Sequence, residues 1–69
     1  MDIRFDEQAD ALYIQFQEGK SGETIKLRDG ILVDIGKDGR FFGIEILDVS
    51  QRIPIEQLGH LGIDLPIHA

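Results

Sequence analysis

A chain of 69 residues, 42% hydrophobic, 29% charged and without cysteine, is enough for one small domain and excludes disulfides, cysteine-ligated zinc and thiol catalysis. Seven Lys+Arg against 13 Asp+Glu leave a net charge of −6, the wrong sign for a phosphate-binding surface, so no nucleic-acid partner is expected. No apolar run approaches the roughly 18–20 residues of a membrane span and no signal-peptide pattern is present, which points to a cytoplasmic protein with no membrane partner.

The chain opens with period-two patterning. Asp2 to Asp6 alternates polar and apolar, so Ile3 and Phe5 share one face of a first strand. The polar Asp6–Asp10 segment is a tight connection. Ala11 to Gln17 alternates again, with Leu12, Ile14 and Phe16 on one face and Ala11, Tyr13, Gln15 and Gln17 on the other. Two short strands this close form a hairpin. Glu18 to Glu23 carries two glycines and no large apolar side chain, and reads as a loop. Thr24 to Arg28 is a third strand, ended by the turn pair Asp29-Gly30.

Ile31 to Ile35 is rich in β-branched residues and is the clearest strand. Gly36 to Arg40 contains Asp38-Gly39 between two β-patterned runs, a strong hairpin signal. The returning strand, Phe41 to Leu47, sets Phe42, Ile44 and Ile46 on the face of Ile31, Val33 and Ile35. Its opposite face holds Phe41, Gly43, Glu45 and Leu47. Gly43 has no side chain to pack, and so marks a kink, a bulge or a close backbone approach.

After Asp48 the period changes. Ile55, Leu58 and Leu61 recur every three residues, which predicts a helix with Pro54 in its first turn and Gly62 just past its end. Ser50 could cap a slightly earlier start. So short a helix must dock its apolar stripe to be stable. Ile63, Leu65 and Ile67 then alternate once more. This tail either packs on a neighbouring subunit, covers a sheet edge, or folds over its own core. The expected architecture is thus α+β: an antiparallel β-meander of about five strands, one short C-terminal helix and an extended tail. One domain spans residues 1–69, with a core over 1–53 and the helix and tail over 54–69.

Ordering a chain costs about 1.5 kcal/mol per residue, and one of this length buries only about 60% of its unfolded surface. With no disulfide to help, a homo-oligomer, dimer or higher, is expected.

The pattern Asp6-x-x-x-Asp10-x-Leu12-Tyr13-Ile14, then Val33-Asp34 and Asp38-Gly39-Arg40-x-x-Gly43-Ile44-Glu45-Ile46-Leu47-Asp48, resembles the DUF2283 family of small prokaryotic proteins. The resemblance covers about two thirds of the chain and is carried by the order and spacing of both blocks. It implies a compact β-meander with a C-terminal helix, and no assigned function. Some members look like antitoxins encoded beside a small toxin of the DUF4258 type. Members usually stop soon after the positions matching Asp48 to Arg52, so the resemblance says least about Pro54 to Ala69.

Among candidate functional acids, Glu45 stands out because it is mid-strand, where glutamate is depleted. Beside Tyr13 it could act in proton transfer if buried or half-buried. The plainer alternatives are a solvated face or an ion pair with Arg4, Lys26 or Arg28. Asp6 and Asp10 flank the first turn, and Asp34 and Asp38 flank the hairpin. Such pairs could hold a cation, but turns select short acids for their bonds to backbone amides, and Asp38 fits that best. His60, Asp64 and His68 are spaced by four, but Gly62 and Pro66 break the helix that would align them for zinc. No cofactor, metal site or catalytic residue is assigned, leaving Asp10, Asp38 and Glu45 as candidate functional acids.

Tyr13, Phe41 and Leu47 place apolar surface on a face that should be polar, and exposed clusters of this kind mark interfaces. With Ile63, Leu65 and Ile67 they form the candidate interaction surface. The sequence therefore reads as a small acidic protein-binding module rather than an enzyme. It is expected to form homo-oligomers and to take a basic protein partner, such as a small toxin. The alternative is a small enzyme or metal-binding protein built on Glu45, Tyr13 and the turn aspartates.

Overall fold

The computed structural model describes residues 1–60, apart from the side chains of Ile55 and Leu58. Five strands, β1 (Asp2–Asp6), β2 (Ala11–Gln15), β3 (Ser21–Arg28), β4 (Ile31–Gly36) and β5 (Phe41–Leu47), precede two four-residue helical turns, α1 (Val49–Arg52) and α2 (Ile55–Leu58). All pairings are antiparallel, in the order β1-β2-β5-β4-β3. The α+β class is as expected. The meander runs from β3 to β5, and the β1–β2 hairpin is set against β5. The chain must therefore cross from β2 to the far edge in the segment 16–20. Three strand spacings amount to about 14 Å, and six residue steps reach about 20 Å, so the short crossing suffices.

Register sorts the side chains into two faces. Ile3, Ile14, Ile44, Val33 and Ile25 stand opposite one another across all five strands. The next row on that face is Phe5, Leu12, Ile46, Ile31 and Arg28. The reverse face carries Arg4, Tyr13, Glu45, Leu32 and Lys26, and then Asp2, Gln15, Gly43, Asp34 and Thr24. One face is apolar and the other mainly polar, as strict alternation dictates.

Irregularities sit where the chain needs them. β5 gains one residue on β4 between Asp34↔Gly43 and Ile35↔Phe41, leaving Phe42 as the extra residue of a bulge. Gly30 and Gly39 take positive φ in the two hairpin turns, the conformation glycine adopts most readily. The C-terminal segment meets expectation in part: α2 starts directly after Pro54, where a helix is predicted, but an extra turn precedes it. Helical structure begins at Val49, before Pro54, and is split by an extended Ile53. The cause is Asp48, whose left-handed φ of 52° turns the chain off β5. Val49 N–H then bonds to the Asp10 carbonyl at 3.0 Å. Arg52 closes the other side, donating to the carbonyls of Leu47 and Asp29 at 3.1 and 2.7 Å. The predicted stripe residue Leu61, the cap Gly62 and the alternating Ile63, Leu65 and Ile67 lie outside the described residues.

The core is thin. Among the described residues only Leu12, Phe42 and Val49 are buried hydrophobics. On the apolar face Ile3, Phe5 and Ile25 are 39%, 40% and 44% exposed, and even the central Ile14, Ile44 and Val33 are only half-buried.

Candidate functional site

The polar face is organised by Tyr13. The ring reaches diagonally across β5, and the phenol donates to Asp34 Oδ2 on β4 at 2.9 Å. It passes over Gly43: a Cβ there would lie 2.7 Å from Tyr13 Cζ, closer still to the phenol oxygen, and 2.9 Å from the Ile14 carbonyl. The close approach read from Gly43 is thus the passage of Tyr13. Asp34 also accepts from Thr24 Oγ1 at 2.6 Å, so β2, β4 and β3 are tied by one carboxylate. Arg4 lies over the Tyr13 ring, 5.5 Å from its centroid. It pairs with Asp2 at 3.0 Å and donates to Gln15 Oε1 at 3.2 Å. Burial first, then the hydrogen bond to Asp34 and that carboxylate's charge, raise the Tyr13 pKa. Arg4 opposes them and Glu45 adds to them.

Glu45 stands directly opposite Tyr13. It is half-buried, and of the two plain alternatives the ion pair with a cross-strand base is not formed among the described residues. Arg4 pairs with Asp2, Lys26 pairs with Asp29 at 2.8 Å, and no ion pair reaches Glu45 among the described residues. Tyr13 gives its hydrogen bond to Asp34 rather than to Glu45.

Tyr13, Glu45, Ala11 and Leu47 form the floor of an open concavity of about 700 Å³, walled by Arg4 and by the β1–β2 turn at Glu7 to Ala9. Tyr13 and Leu47 of the expected interaction surface are thus together. Phe41 does not join them: the bulge at Phe42 sets it opposite Ile35, on the apolar face, exposed at the other end of β5, where its carbonyl accepts from Gln17 Nε2 at 2.8 Å. Ile63, Leu65 and Ile67 lie outside the described residues.

The aspartates have structural employment. Asp6 accepts from the backbone N–H groups of Gln8 and Ala9 at 3.0 and 3.1 Å, and Asp38 accepts from that of Arg40 at 2.9 Å. Asp10 takes both the Ser50 hydroxyl, at 2.6 Å, and the Ser50 N–H, at 3.1 Å. Ser50 therefore lies inside α1 and anchors it rather than capping it. Among the described residues no three His, Asp or Glu side chains come together as metal ligands would. His60 is exposed, while Asp64 and His68 lie outside the described residues. No described helix is long and apolar enough to cross a membrane.

Sequence alternation alone did not single out Asp34. Its signal is register: folding the β4–β5 hairpin about Asp38-Gly39 brings Asp34 opposite Gly43, under the reach of Tyr13. The exposed rim of the apolar face, formed by Ile3, Phe5, Phe16, Ile25 and Leu27, was not among the residues picked for interaction, because period two marks such residues as core.

The family model described as "Protein of unknown function (DUF2283)" matches residues 2–50, the whole sheet and the first residues of α1. The chain belongs to the DUF2283 family. No curated protein matches it, and no solved structure does. In this DUF2283 protein the matched region contains the Tyr13–Asp34 tie, Gly43, Glu45 and the Asp10–Ser50 anchor.

Proposed function

We propose that this DUF2283 protein acts by binding rather than by catalysis. It is an acidic module that pairs with a second copy of itself through the apolar sheet face and offers its polar face to a basic protein partner. The observation that carries this reading is the continuous apolar row Ile3–Ile14–Ile44–Val33–Ile25, whose outer members are two-fifths exposed. The second copy is favoured by charge. The two apolar rows contain Arg28 and no carboxylate, so two molecules of net charge −6 can meet there without opposing their acids. Area agrees. A molecule of 32 × 31 × 18 Å has broad faces on the order of 1,000 Å², against the roughly 800 Å² per partner in a stable interface. The remaining acidic surface steers encounter with a basic partner, and neutralising a small basic toxin is a role of that kind.

Sedimentation velocity over a range of concentrations tests the reading. The wild-type chain is expected to sediment as a dimer or higher oligomer. Ile25→Glu, which changes an exposed side chain and removes no buried contact, is expected to give single chains with an unaltered circular dichroism spectrum. A wild-type protein that remains a single chain at the highest concentration overturns the self-association.

A further inference from the structure

We infer that the concavity on the polar face is a receptor for an arginine side chain of the basic partner, with Glu45 as the carboxylate that receives the guanidinium. The inference deepens the basic-partner half of the proposed function and is independent of self-association.

Glu45 differs from every other carboxylate in the described residues. Asp2, Asp6, Asp10, Asp29, Asp34 and Asp38 each have an ion pair or hydrogen bond. Glu7, Glu18, Glu23, Asp48 and Glu56 have none and are exposed, so water serves them. Glu45 alone is half-buried and without a protein partner. Its oxygens still reach solvent, so a cation can be brought to them and make a charge-assisted pair that the protein itself does not supply among the described residues.

The surroundings fit an alkyl-stemmed cation rather than a bare ion. The opening of about 700 Å³ is large enough for a long side chain, and among the described residues no three acid or histidine side chains gather there as metal ligands would. Leu47 and Ala11 on the floor offer apolar contact for methylene groups, while Tyr13 supplies an aromatic edge beside the acid. The lining carries Asp6, Glu7 and Glu45 against Arg4 alone, and Arg4 is already neutralised by Asp2. The field in the concavity therefore favours a positive charge. Arginine is preferred to lysine because a planar guanidinium can bond both carboxylate oxygens at once and is less strongly hydrated. Tyr13 is held down by Asp34 and so keeps the opening clear, which makes the receptor preorganised.

The probe is the peptide acetyl-Gly-Arg-Gly-amide, titrated at low ionic strength into the full-length ¹⁵N-labelled chain while amide shifts are followed. The glutamine and lysine analogues serve as comparisons. Saturable shifts centred on Tyr13, Glu45 and Leu47 are expected, with lysine binding several-fold more weakly and glutamine not at all. Glu45→Gln is expected to weaken binding at least tenfold, whereas Glu18→Gln, remote and exposed, leaves it unchanged. Leu47→Gln, which keeps the acid but removes the stem contact, should weaken it several-fold, and the dispersion of the same spectra verifies folding. Equal weakening by Glu45→Gln and Glu18→Gln, or shifts spread over all the acidic residues, overturns the site. Equal affinity for the lysine peptide overturns the choice of arginine. Shifts spread over all the acidic residues would leave a basic partner without this receptor, whereas no saturable shift with either cationic peptide would overturn the basic-partner reading as well, so the two fail distinguishably.

Discussion

At the scale of single residues, Gly43 and Tyr13 act as one unit. Alanine in a strand normally stabilises relative to glycine, because it restricts the unfolded chain. Here the added methyl would meet Tyr13 Cζ at 2.7 Å and the Ile14 carbonyl at 2.9 Å, and backbone cannot yield cheaply. Gly43→Ala is therefore expected to destabilise by about 1–3 kcal/mol, the usual cost of overpacking. Urea denaturation reads the sign directly: a neutral or stabilising effect would show that the ring does not lie where described. The phenol gives a second prediction. The chain has one tyrosine, so phenolate absorbance reports Tyr13 alone, and its midpoint is expected above the ordinary 10.0. With the folded value raised, the associated stability is fully present below pH 10.0 and is lost as pH climbs through the folded value. The urea midpoint should accordingly fall in that alkaline window, and fall less in Tyr13→Phe.

At the scale of elements, the strands and the hairpin turns between them were legible, while some strand ends, the neighbour of β2 and the turn after β5 were not. Local alternation locates β1 and β5 to the residue, because each has one face more apolar than the other. It ends β2 late and starts β3 late, since Phe16 and Gln17 continue the alternation beyond the last paired residue, while Ser21 to Glu23 pair without any apolar pattern. Nothing local says that β2 neighbours β5, a choice made by burial across the sheet. The helix expected from Pro54 is met by α2, but the added turn α1 before it was not foreseen, for a similar reason. The stripe at Ile55, Leu58 and Leu61 is real periodicity, but the first helical turn is fixed by long-range contacts from Asp10, 40 residues away in sequence. That aspartate was a candidate functional acid and serves the fold, holding Ser50 while itself in the left-handed region at φ 52°. Asp10→Ala should therefore destabilise by about 1–2 kcal/mol, through two lost hydrogen bonds and a left-handed backbone that alanine tolerates poorly. Ser50→Ala should cost less, and the double variant should cost less than the sum, because both changes remove the same contact. Full additivity in a urea-denaturation cycle would separate the two residues.

At the scale of the molecule, the two faces pose different physical problems. The polar face satisfies itself through Tyr13, Asp34 and Thr24 and leaves Glu45 for a visitor. The apolar face has no such internal solution among the described residues, for a sheet of five strands with two buried hydrophobic side chains, Leu12 and Phe42, leaves its isoleucine row half in water. If a second copy covers that row, folding and association are linked, and the melting temperature must depend on protein concentration. Each tenfold rise in concentration adds about 1.4 kcal/mol to the stability of a dimer. Spread over the unfolding entropy of two such chains, this shifts the midpoint by about 5 °C. Calorimetry over two decades of concentration is expected to show that rise in the wild type and a flat line for Ile25→Glu. Glu45→Gln should follow the wild-type line, since its carboxylate lies on the reverse face. A flat wild-type line would mean that the isoleucine row is covered from within a single chain, and a flattened Glu45→Gln line would put the polar face in the self-contact instead.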